Sequence, residues 1–287
     1  MPSPLAKSMF ILPFLFMQLV LFLISGVQLF SDGFTLSWLA PLLSSAAFLL
    51  TIGYIATSGK ARTSANLHAL VGASVLTIVL AFMGHQQSPS LAGQALLYTC
   101  LSSLGNMGYV FWFSRLERDH NPALDPGQPL MNFTLHNLAG EKVSSKDLVG
   151  KPTIYLFYRG SWCPICVAQV KEIAEQYRQL QERGARVALI SPQPEKMTQE
   201  LSQRFDAPMD FYVDPKNHAA AKLGIVHPYG LPFGMQPLGY DKDTVYPTVI
   251  ITDSQGSILF SDQTDNYRVR PEPETFLRVL DDQLAGA

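Results

Sequence analysis

Long apolar segments with almost no charge make up the first part of the chain. Lipid offers the backbone no hydrogen-bond partner, so segments of this kind fold as helices, and ~20 residues cross a hydrocarbon core. Short connections separate the segments, at Ser31-Asp32-Gly33, Ser58-Gly59-Lys60 and Ser88-Pro89-Ser90. The pattern predicts a transmembrane region within residues 1–118. Its four predicted helices are Met9–Phe30, Leu36–Thr57, Leu67–Met83 and Leu91–Phe113.

Basic residues flank these segments on alternate connections, whereas the connections at 31–35 and 85–90 contain no Lys or Arg. Four crossings place all the flanking basic residues on one side, which the positive-inside rule makes cytoplasmic. They are Lys7, Lys60, Arg62, Arg115 and Arg118. We therefore expect a multi-pass protein of the cell (inner) membrane whose remaining chain faces the cytoplasm. A signal peptide over Met9–Ile24, with Lys7 as its basic end, is the alternative for the first segment.

The pattern changes after a Pro-, Asp- and Gly-rich stretch, residues 119–129, which is predicted to be a linker. From residue 130 to 287, strand-like and helix-like segments alternate, with a Pro- and Gly-rich loop at Gly224–Thr244. The predicted strands are Phe133–Leu135, Lys142–Ser144, Thr153–Tyr158, Arg186–Ile190, Phe211–Val213, Thr248–Thr252 and Ser257–Ser261. The predicted helices are Val167–Leu180, Glu195–Phe205, Asn217–Leu223 and Glu272–Leu284. This order predicts an α/β domain with a central mixed sheet and helices on both faces.

Composition supports the division into two parts. Only 15% of the 287 residues are charged, against about 25% in ordinary soluble domains. Between Met9 and Phe113 the charged residues are Asp32, Lys60 and Arg62 alone. The net charge of −2 gives a nucleic-acid partner no electrostatic support.

The chemistry is concentrated in the segment Trp162-Cys163-Pro164-Ile165-Cys166, between a predicted strand and a predicted helix. The helix dipole and free N–H groups favour a thiolate at Cys163, and Cys166 lies one turn on, close enough for a disulfide. We predict that Cys163 is the nucleophile and the more exposed sulfur, and that Cys166 resolves its mixed disulfide or sulfenate. A zinc site needs further ligands, and no second Cys-x-x-Cys or paired His is present, so no metal is predicted.

The segment Tyr158–Cys166 resembles the active-site segment of the thioredoxin-like superfamily, and more narrowly the peroxiredoxin-like (redoxin) branch of the AhpC/TSA family. Phe133–Lys142, Tyr246-Pro247-Thr248 and Asp265–Pro271 also resemble that family, so the similarity spans about residues 130–285. It implies a thioredoxin-like fold. No Gly-rich phosphate loop or nucleotide fingerprint is present in the sequence, so no cofactor is expected. The resemblance also implies a cis bond before Pro247, opposite the cysteine loop, that leaves the backbone of Tyr246 or Thr248 open to a substrate strand.

Other residues of these segments receive supporting roles. Trp162 is expected to shield the sulfurs, and Pro164 suits the first helical turn because its missing N–H has no role there. Arg159 is a candidate for stabilising the thiolate or a peroxide oxygen. Arg268 and Arg270 are weaker candidates, and His218 and His227 are expected to be surface or capping residues.

One departure from the family decides between the hypotheses. Peroxiredoxins carry Pro-x-x-x-Thr/Ser-x-x-Cys, but counting back from Cys163 those places hold Leu156 and Gly160. The leading hypothesis is therefore a membrane-anchored thiol–disulfide oxidoreductase. The alternatives are a thiol peroxidase that reduces hydrogen peroxide or lipid hydroperoxides, and a non-enzymatic membrane redox sensor. The expected partners are the lipid bilayer, a thiol or disulfide protein or a peroxide as substrate, and a reductant such as a thioredoxin or glutathione system.

Overall fold

The computed structural model describes residues 4–31, 33–87 and 89–286, which form two compact units. The helical unit comprises Met9–Ser58 and Thr63–Arg115. The globular unit comprises the segment that ends at Ser8, the short segment Gly59–Arg62, and the chain from Leu116 onward. The turn residues predicted at Asp32 and Ser88 lie outside the described residues.

Four long helices run through the first part of the chain, as predicted: α1 Pro4–Ser31, α2 Leu36–Thr57, α3 His68–Gln87 and α4 Pro89–Gly108, which a π-helical turn continues over Tyr109–Phe113. Among the described residues, α1, α2 and α3 are long and apolar enough to cross a membrane. The helix α1 begins earlier than the predicted Met9, since proline is well tolerated in a first turn. The fourth helix is more polar than the other three, because its second half carries Ser102, Ser103 and Asn106.

Those polar residues are buried inside the helical unit, where they pair with one another. Gln18 Nε2 donates to Asn106 Oδ1 at 2.8 Å, and Ser102 Oγ donates to Gln18 Oε1 at 2.8 Å. The hydroxyls of Ser44 and Ser102 lie 2.8 Å apart, and Asn106 Nδ2 donates to Ser74 Oγ at 3.2 Å. One hydrogen-bond network thus links all four helices.

The globular unit is built on a seven-stranded mixed sheet. Its strands are β1 Thr134–Asn137, β2 Lys142–Ser144, β3 Thr153–Phe157, β4 Arg186–Ser191, β5 Asp210–Val213, β8 Thr248–Thr252 and β9 Ile258–Asp262. Their order in the sheet is β2-β1-β5-β4-β3-β8-β9. The β3/β4 and β4/β5 pairs are parallel, and the other four are antiparallel. A separate two-stranded pair, β6 Val226–His227 and β7 Thr244–Val245, brackets the Pro- and Gly-rich loop.

Helices pack against this sheet, which confirms the predicted fold class. They are α5 Pro164–Glu182, α6 Glu195–Ser202, α7 His218–Lys222 and α8 Pro273–Gly286. Every residue of β3 is buried, so β3 is the centre of the core. On one side of it Phe133 meets Tyr155 and Phe157 edge to face, at centroid distances of 5.9 and 6.0 Å.

The stretch predicted as a linker, residues 119–129, packs as part of the globular unit. Leu124 is fully buried in its core. Asn121 Nδ2 donates to the Leu223 carbonyl at 2.9 Å, and the Asn121 backbone N–H donates to Gln263 Oε1 at 2.9 Å. The turn-forming residues of this stretch therefore shape an irregular but attached segment.

Candidate active site

The end of β3 and the start of α5 position the two cysteines. Cys163 is the N-cap of α5, Pro164 is its first residue, and Cys166 lies in the first turn. The loop between strand and helix contains Gly160 at φ +145°, where a Cβ atom would lie 2.8 Å from the Trp162 ring. Glycine is needed there for both backbone conformation and space. The loop is further fixed by Gln193, whose Oε1 accepts from the Ser161 N–H at 2.7 Å.

Both cysteines are free thiols and both are buried. Cys163, which was predicted to be the more exposed of the two, is 3% exposed, and Cys166 is 0% exposed, so both residues are buried. A hydrogen bond from the Cys166 thiol lowers the pKa of Cys163 against the effect of burial, and the charges of Arg159 and Arg270 lower it further. The same hydrogen bond, followed by burial, raises the pKa of Cys166 well above its ordinary range. The pair therefore favours a thiolate at Cys163 and a thiol at Cys166.

Arg159 is buried beside the cysteine loop, at 7% exposure. Its guanidinium lies over the Trp162 ring at 4.6 Å and near the Tyr267 ring at 5.7 Å, as in cation–π contacts. One of its nitrogens, Nη2, donates to the Gly230 carbonyl. The side chain that the sequence offered as a thiolate stabiliser is thus placed next to Trp162, and its charge acts on Cys163.

Arg270, a weaker candidate in the sequence analysis, has a direct electrostatic effect on both cysteines. It is 5% exposed, and its charge lowers the pKa of both cysteines. Its Nε and Nη2 atoms are buried without a hydrogen-bond acceptor in the described part of the chain. Arg268 is fully buried as well. Two arginines one residue apart, just before the closing helix, are the only signal that the sequence gives for this feature.

The segment Tyr246-Pro247-Thr248 lies where the resemblance predicts, because Thr248 at the start of β8 pairs with Phe157 at the end of β3. The predicted cis bond before Pro247 is wrong, since the described backbone contains no cis peptide bond. The trans form is the default for X–Pro bonds, by about 0.5–1 kcal/mol. It carries the chain directly from β7 into β8.

The resemblance implied that the backbone of this segment is open to a substrate strand, but its hydrogen-bonding groups are occupied. The Tyr246 N–H donates to the Ile225 carbonyl at 2.7 Å, and Thr248 Oγ1 donates to the Tyr246 carbonyl at 2.9 Å. Arg118 Nη1 donates to the Pro247 carbonyl at 3.3 Å and to Thr248 Oγ1 at 3.1 Å. Arg118, which the sequence offered only as a topology signal, is therefore part of the surroundings of the site.

The loop between β6 and β7 covers one side of the site. A cavity of about 10 Å³ lies between this loop and the cysteine loop, lined by Arg159, Trp162, Pro192, Gln193, Tyr240, Asp241 and Thr244. His227 was expected at the surface but is buried and stacked on Tyr246 at 4.6 Å, since β6 carries it inward. Burial, together with nearby cations, lowers the pKa of His227 well below its usual value, so the ring is neutral near pH 7. His218 is exposed at the start of α7.

The described residues contain no cluster of three or more His, Cys, Asp or Glu side chains placed to hold a metal ion. The donors around the dithiol are arginine and tryptophan N–H groups, which do not ligate metals. The chemistry that this arrangement supports on its own side chains is thiolate attack at Cys163 and closure of a disulfide with Cys166.

Comparison with known proteins gives matches to the globular part. Residues 126–261 match the model of the AhpC/TSA family. The thiol-disulfide oxidoreductase ResA of Halalkalibacterium halodurans is 25% identical over 154 residues, which cover 53% of this chain and 76% of that protein. The chloroplastic peroxiredoxin Q of Oryza sativa subsp. japonica is 27% identical over 120 residues, which cover 42% and 55%.

Solved structures of peroxiredoxins also align with the chain. A mutant of the peroxiredoxin 6 of Arenicola marina aligns with a TM-score of 0.49 at 17% identity, covering 56% of this chain and 74% of that one. The AhpC of Enterococcus faecalis aligns with a TM-score of 0.45 at 19% identity, covering 56% and 93%.

Proposed function

Because residues 126–261 form an AhpC/TSA domain, a thioredoxin-like redox domain, we propose that this chain is a membrane-anchored thiol–disulfide oxidoreductase acting through Cys163 and Cys166. The observation that carries the proposal is a pair of free, buried cysteines at a helix N-terminus, Cys163 as N-cap and Cys166 in the first turn, and the opposite directions of their pKa shifts support it. A nucleophile and a resolving thiol need this difference. The ResA relative, named a thiol-disulfide oxidoreductase, agrees with it.

The reaction proceeds in two exchange steps. The Cys163 thiolate attacks one sulfur of a substrate disulfide, so that a mixed disulfide forms as the substrate S–S bond breaks and one thiolate leaves. Cys166 then gives up its proton and attacks the Cys163 sulfur, which releases the second half of the substrate. Two electrons have passed to the substrate, and the Cys163–Cys166 disulfide must be reduced by an external thiol reductant, of the thioredoxin or glutathione class, before the next turnover.

The side chains around the pair have distinct roles in this scheme. Arg159 and Arg270 favour the thiolate at Cys163 by their charge. Trp162 covers the loop from one side, and Pro164 starts α5 at the residue after the nucleophile. Tyr246, Pro247 and Thr248 form the wall at the end of β3.

Membrane anchoring is the second part of the proposal. The three apolar helices that are long enough to cross a bilayer support it. We place the redox domain on the cytoplasmic side, since Lys7, Lys60, Arg62, Arg115 and Arg118 flank the helices on the connections that four crossings put together. A cytoplasmic dithiol is kept reduced and so is ready to donate electrons.

A peroxidase is the second candidate, favoured by the buried donors of Arg159 and Arg270 beside the thiols and by the peroxiredoxin Q relative. In that reaction the Cys163 thiolate attacks a peroxide oxygen, the O–O bond breaks, and a sulfenate forms while water or an alcohol leaves. Cys166 would resolve this sulfenate with loss of water, which again leaves the Cys163–Cys166 disulfide.

The test uses the full chain in detergent, reduced and carrying Cys100→Ser as a common background. With a low-molecular-weight disulfide we expect the parent to form the Cys163–Cys166 disulfide, Cys166→Ser to stop at a mixed disulfide, and Cys163→Ser to form neither. Oxidation of Cys163→Ser at the parent rate would show that Cys163 is not the nucleophile. Hydrogen peroxide is added in a second arm, where sulfenate formation in Cys166→Ser no faster than in free cysteine would exclude the peroxidase.

A further inference from the structure

We propose that the dithiol is specific for small, negatively charged disulfides and excludes the disulfides of extended polypeptides. This inference rests on the proposed dithiol exchange and adds a substrate class to it. Two independent features of the globular unit carry it: the backbone beside the site is already hydrogen-bonded, and the donors around the thiols lack acceptors.

An extended peptide that docks beside a sheet is held by main-chain hydrogen bonds to free N–H and C=O groups. At the end of β3 those groups belong to residues 246 and 247. Of these two residues, Tyr246 supplies the one backbone N–H, because Pro247 has none, and that N–H is taken by the Ile225 carbonyl at 2.7 Å. The Pro247 carbonyl accepts from Arg118 at 3.3 Å, and the Tyr246 carbonyl accepts from Thr248 Oγ1 at 2.9 Å. A substrate strand therefore finds no free backbone donor at residues 246 and 247, and both carbonyls already accept a hydrogen bond.

Arg118 is itself well anchored. Its backbone N–H donates to Asp265 Oδ1 at 3.0 Å, and its guanidinium lies 5.3 Å from the centre of the Tyr246 ring. The same guanidinium also binds Thr248 Oγ1. Displacing it would break several contacts at once, so an incoming polypeptide has to compete with a fixed side chain.

The other feature is a group of buried donors around the cysteine loop. Arg159 Nε, Arg270 Nε and Nη2, and Trp162 Nε1 are all buried and have no acceptor within the part of the chain that the structure describes. Arg159 and Arg270 are 7% and 5% exposed, and both charges act on Cys163. A ligand that carries carboxylates would supply the missing acceptors, and charge-assisted hydrogen bonds are the strong ones.

The space beside the cysteine loop is small. The cavity that Arg159, Trp162, Tyr240 and Asp241 help to line measures about 10 Å³, room for about one water molecule. Both cysteines are buried, so a substrate reaches the sulfurs only after the residues that cover them have moved. A small disulfide needs less of this movement than a folded or extended chain.

The test is a single-turnover comparison with the reduced full chain in detergent. Four disulfides are used: oxidised glutathione, which is negatively charged, neutral 2-hydroxyethyl disulfide, positively charged cystamine, and insulin. Formation of the Cys163–Cys166 disulfide is timed by thiol trapping. We expect oxidised glutathione to react roughly tenfold faster than cystamine, as one additional charge-assisted contact implies, and insulin to be the slowest.

Three variants separate the two features. Arg270→Gln should lower the ratio of the oxidised glutathione rate to the cystamine rate, and Arg270→Lys should restore most of it. This ratio cancels any change in thiolate reactivity, because both disulfides meet the same Cys163. Arg118→Gln should raise the insulin rate and leave the ratio unchanged. Arg183→Gln, which removes a cation paired with Asp281 on the far end of α5, is the control and should change neither.

The outcomes are distinct. Cystamine reacting as fast as oxidised glutathione would overturn the charge preference, and insulin reacting fastest would overturn the exclusion of polypeptides. An unchanged ratio in both Arg270 variants would also reject the anion site. If none of the four disulfides oxidises the parent pair, the proposed dithiol exchange itself fails, which is a different result from any of these.

Discussion

Cys163 and Cys166 are three positions apart, yet their surroundings push their pKa values in opposite directions. The first cause for both is the hydrogen bond between them, in which Cys166 donates to the Cys163 sulfur. Hydrogen bonds to charged groups contribute about 1.5–3 kcal/mol, and one pKa unit corresponds to about 1.4 kcal/mol. We therefore expect Cys166→Ala to raise the pKa of Cys163 from about 6 toward the ordinary thiol range.

The measurement is the ultraviolet absorbance of the thiolate as a function of pH, in the full chain with Cys100→Ser as background. Because the pKa of Cys163 is lowered in the parent, its thiolate absorbance should persist at pH values below the ordinary thiol pKa of about 8.5. In Cys166→Ala the thiolate absorbance should disappear as the pH falls through that ordinary range. Arg270→Gln should shift the curve in the same direction by less, since its charge is a smaller cause. Coincident curves for parent and Cys166→Ala would contradict the assignment of the hydrogen bond.

Residue-scale prediction from the sequence succeeds where neighbours in the chain suffice. The places of Cys163 as N-cap and of Pro164 in the first turn follow from local spacing. Arg270 and Arg118 are different, because their effect depends on segments more than 100 positions away from the cysteines or from Pro247. The trans bond before Pro247 was also missed, since a resemblance carries over a motif but not its hydrogen-bond partners.

At the scale of elements, α5 is held by polar side chains along one face. Arg62 binds Glu172 and also donates to the Pro271 carbonyl at 3.3 Å, while the Ala61 N–H donates to Glu172 Oε1 at 3.1 Å. Further along the helix, Arg183 pairs with Asp281 of α8. Arg62 thus links α5, through Glu172, to Pro271, the residue that follows Arg270.

We predict that Arg62→Gln loosens this region without unfolding the globular unit. The pair is only partly exposed, with side-chain exposures of 26% and 19%, so its loss is expected to cost about 1 kcal/mol, the upper end for exposed pairs. Amide hydrogen exchange should become faster near Glu172 and after Pro271, which lie on the two sides of the contact. The exchanged pair Arg62→Glu with Glu172→Arg should restore part of the protection.

Arg183→Gln is the matched control, because it removes a pair at the other end of the same helix. Exchange near Pro271 that responds equally to Arg62→Gln and to Arg183→Gln would mean that the helix responds as a whole. Exchange that responds to neither would show that packing alone holds the segment in place.

Element prediction from the sequence was most accurate where the pattern is long or regular. Strands β3, β4 and β8 and helices α2 and α5 lie within a few residues of their predicted bounds. The pair β6 and β7 was not predicted, because two-residue strands inside a Pro- and Gly-rich loop carry no alternation of their own. That pair positions His227 and the loop beside the cysteine site, so an element that the sequence pattern missed shapes the surroundings of the site.

At the scale of the whole molecule, the number of membrane crossings decides on which side the dithiol works. Three of the four N-terminal helices meet the criteria for a span within the described residues, and α4 is the more polar fourth. Three crossings would put the redox domain opposite the N-terminus. Four crossings would return it to the same side, as the basic residues suggest.

The chain segments that make up the globular unit help to decide between three and four crossings. It includes the segment that ends at Ser8, the connection Gly59–Arg62 and the chain from Leu116. Lys7 pairs with Glu117 at 2.9 Å, and Arg62 binds Glu172, within this same unit. Segments of one compact unit share one side of a membrane, so an even number of crossings must separate each from the next. Under the proposed membrane anchoring, this condition predicts that α4 crosses together with α3.

We therefore predict that the ends of the chain and the connection after α2 lie on one side, and the connections after α1 and α3 on the other. Reporters active only in the cytoplasm are placed at the C-terminus, within Gly59–Lys60, and, as the matched control, at Gly33–Phe34. The first two should be active and the third inactive, because even and odd numbers of helices precede them. A C-terminal reporter that behaves like the one at Gly33–Phe34 would mean that α4 does not cross, and the dithiol would then face a compartment in which disulfides form and persist.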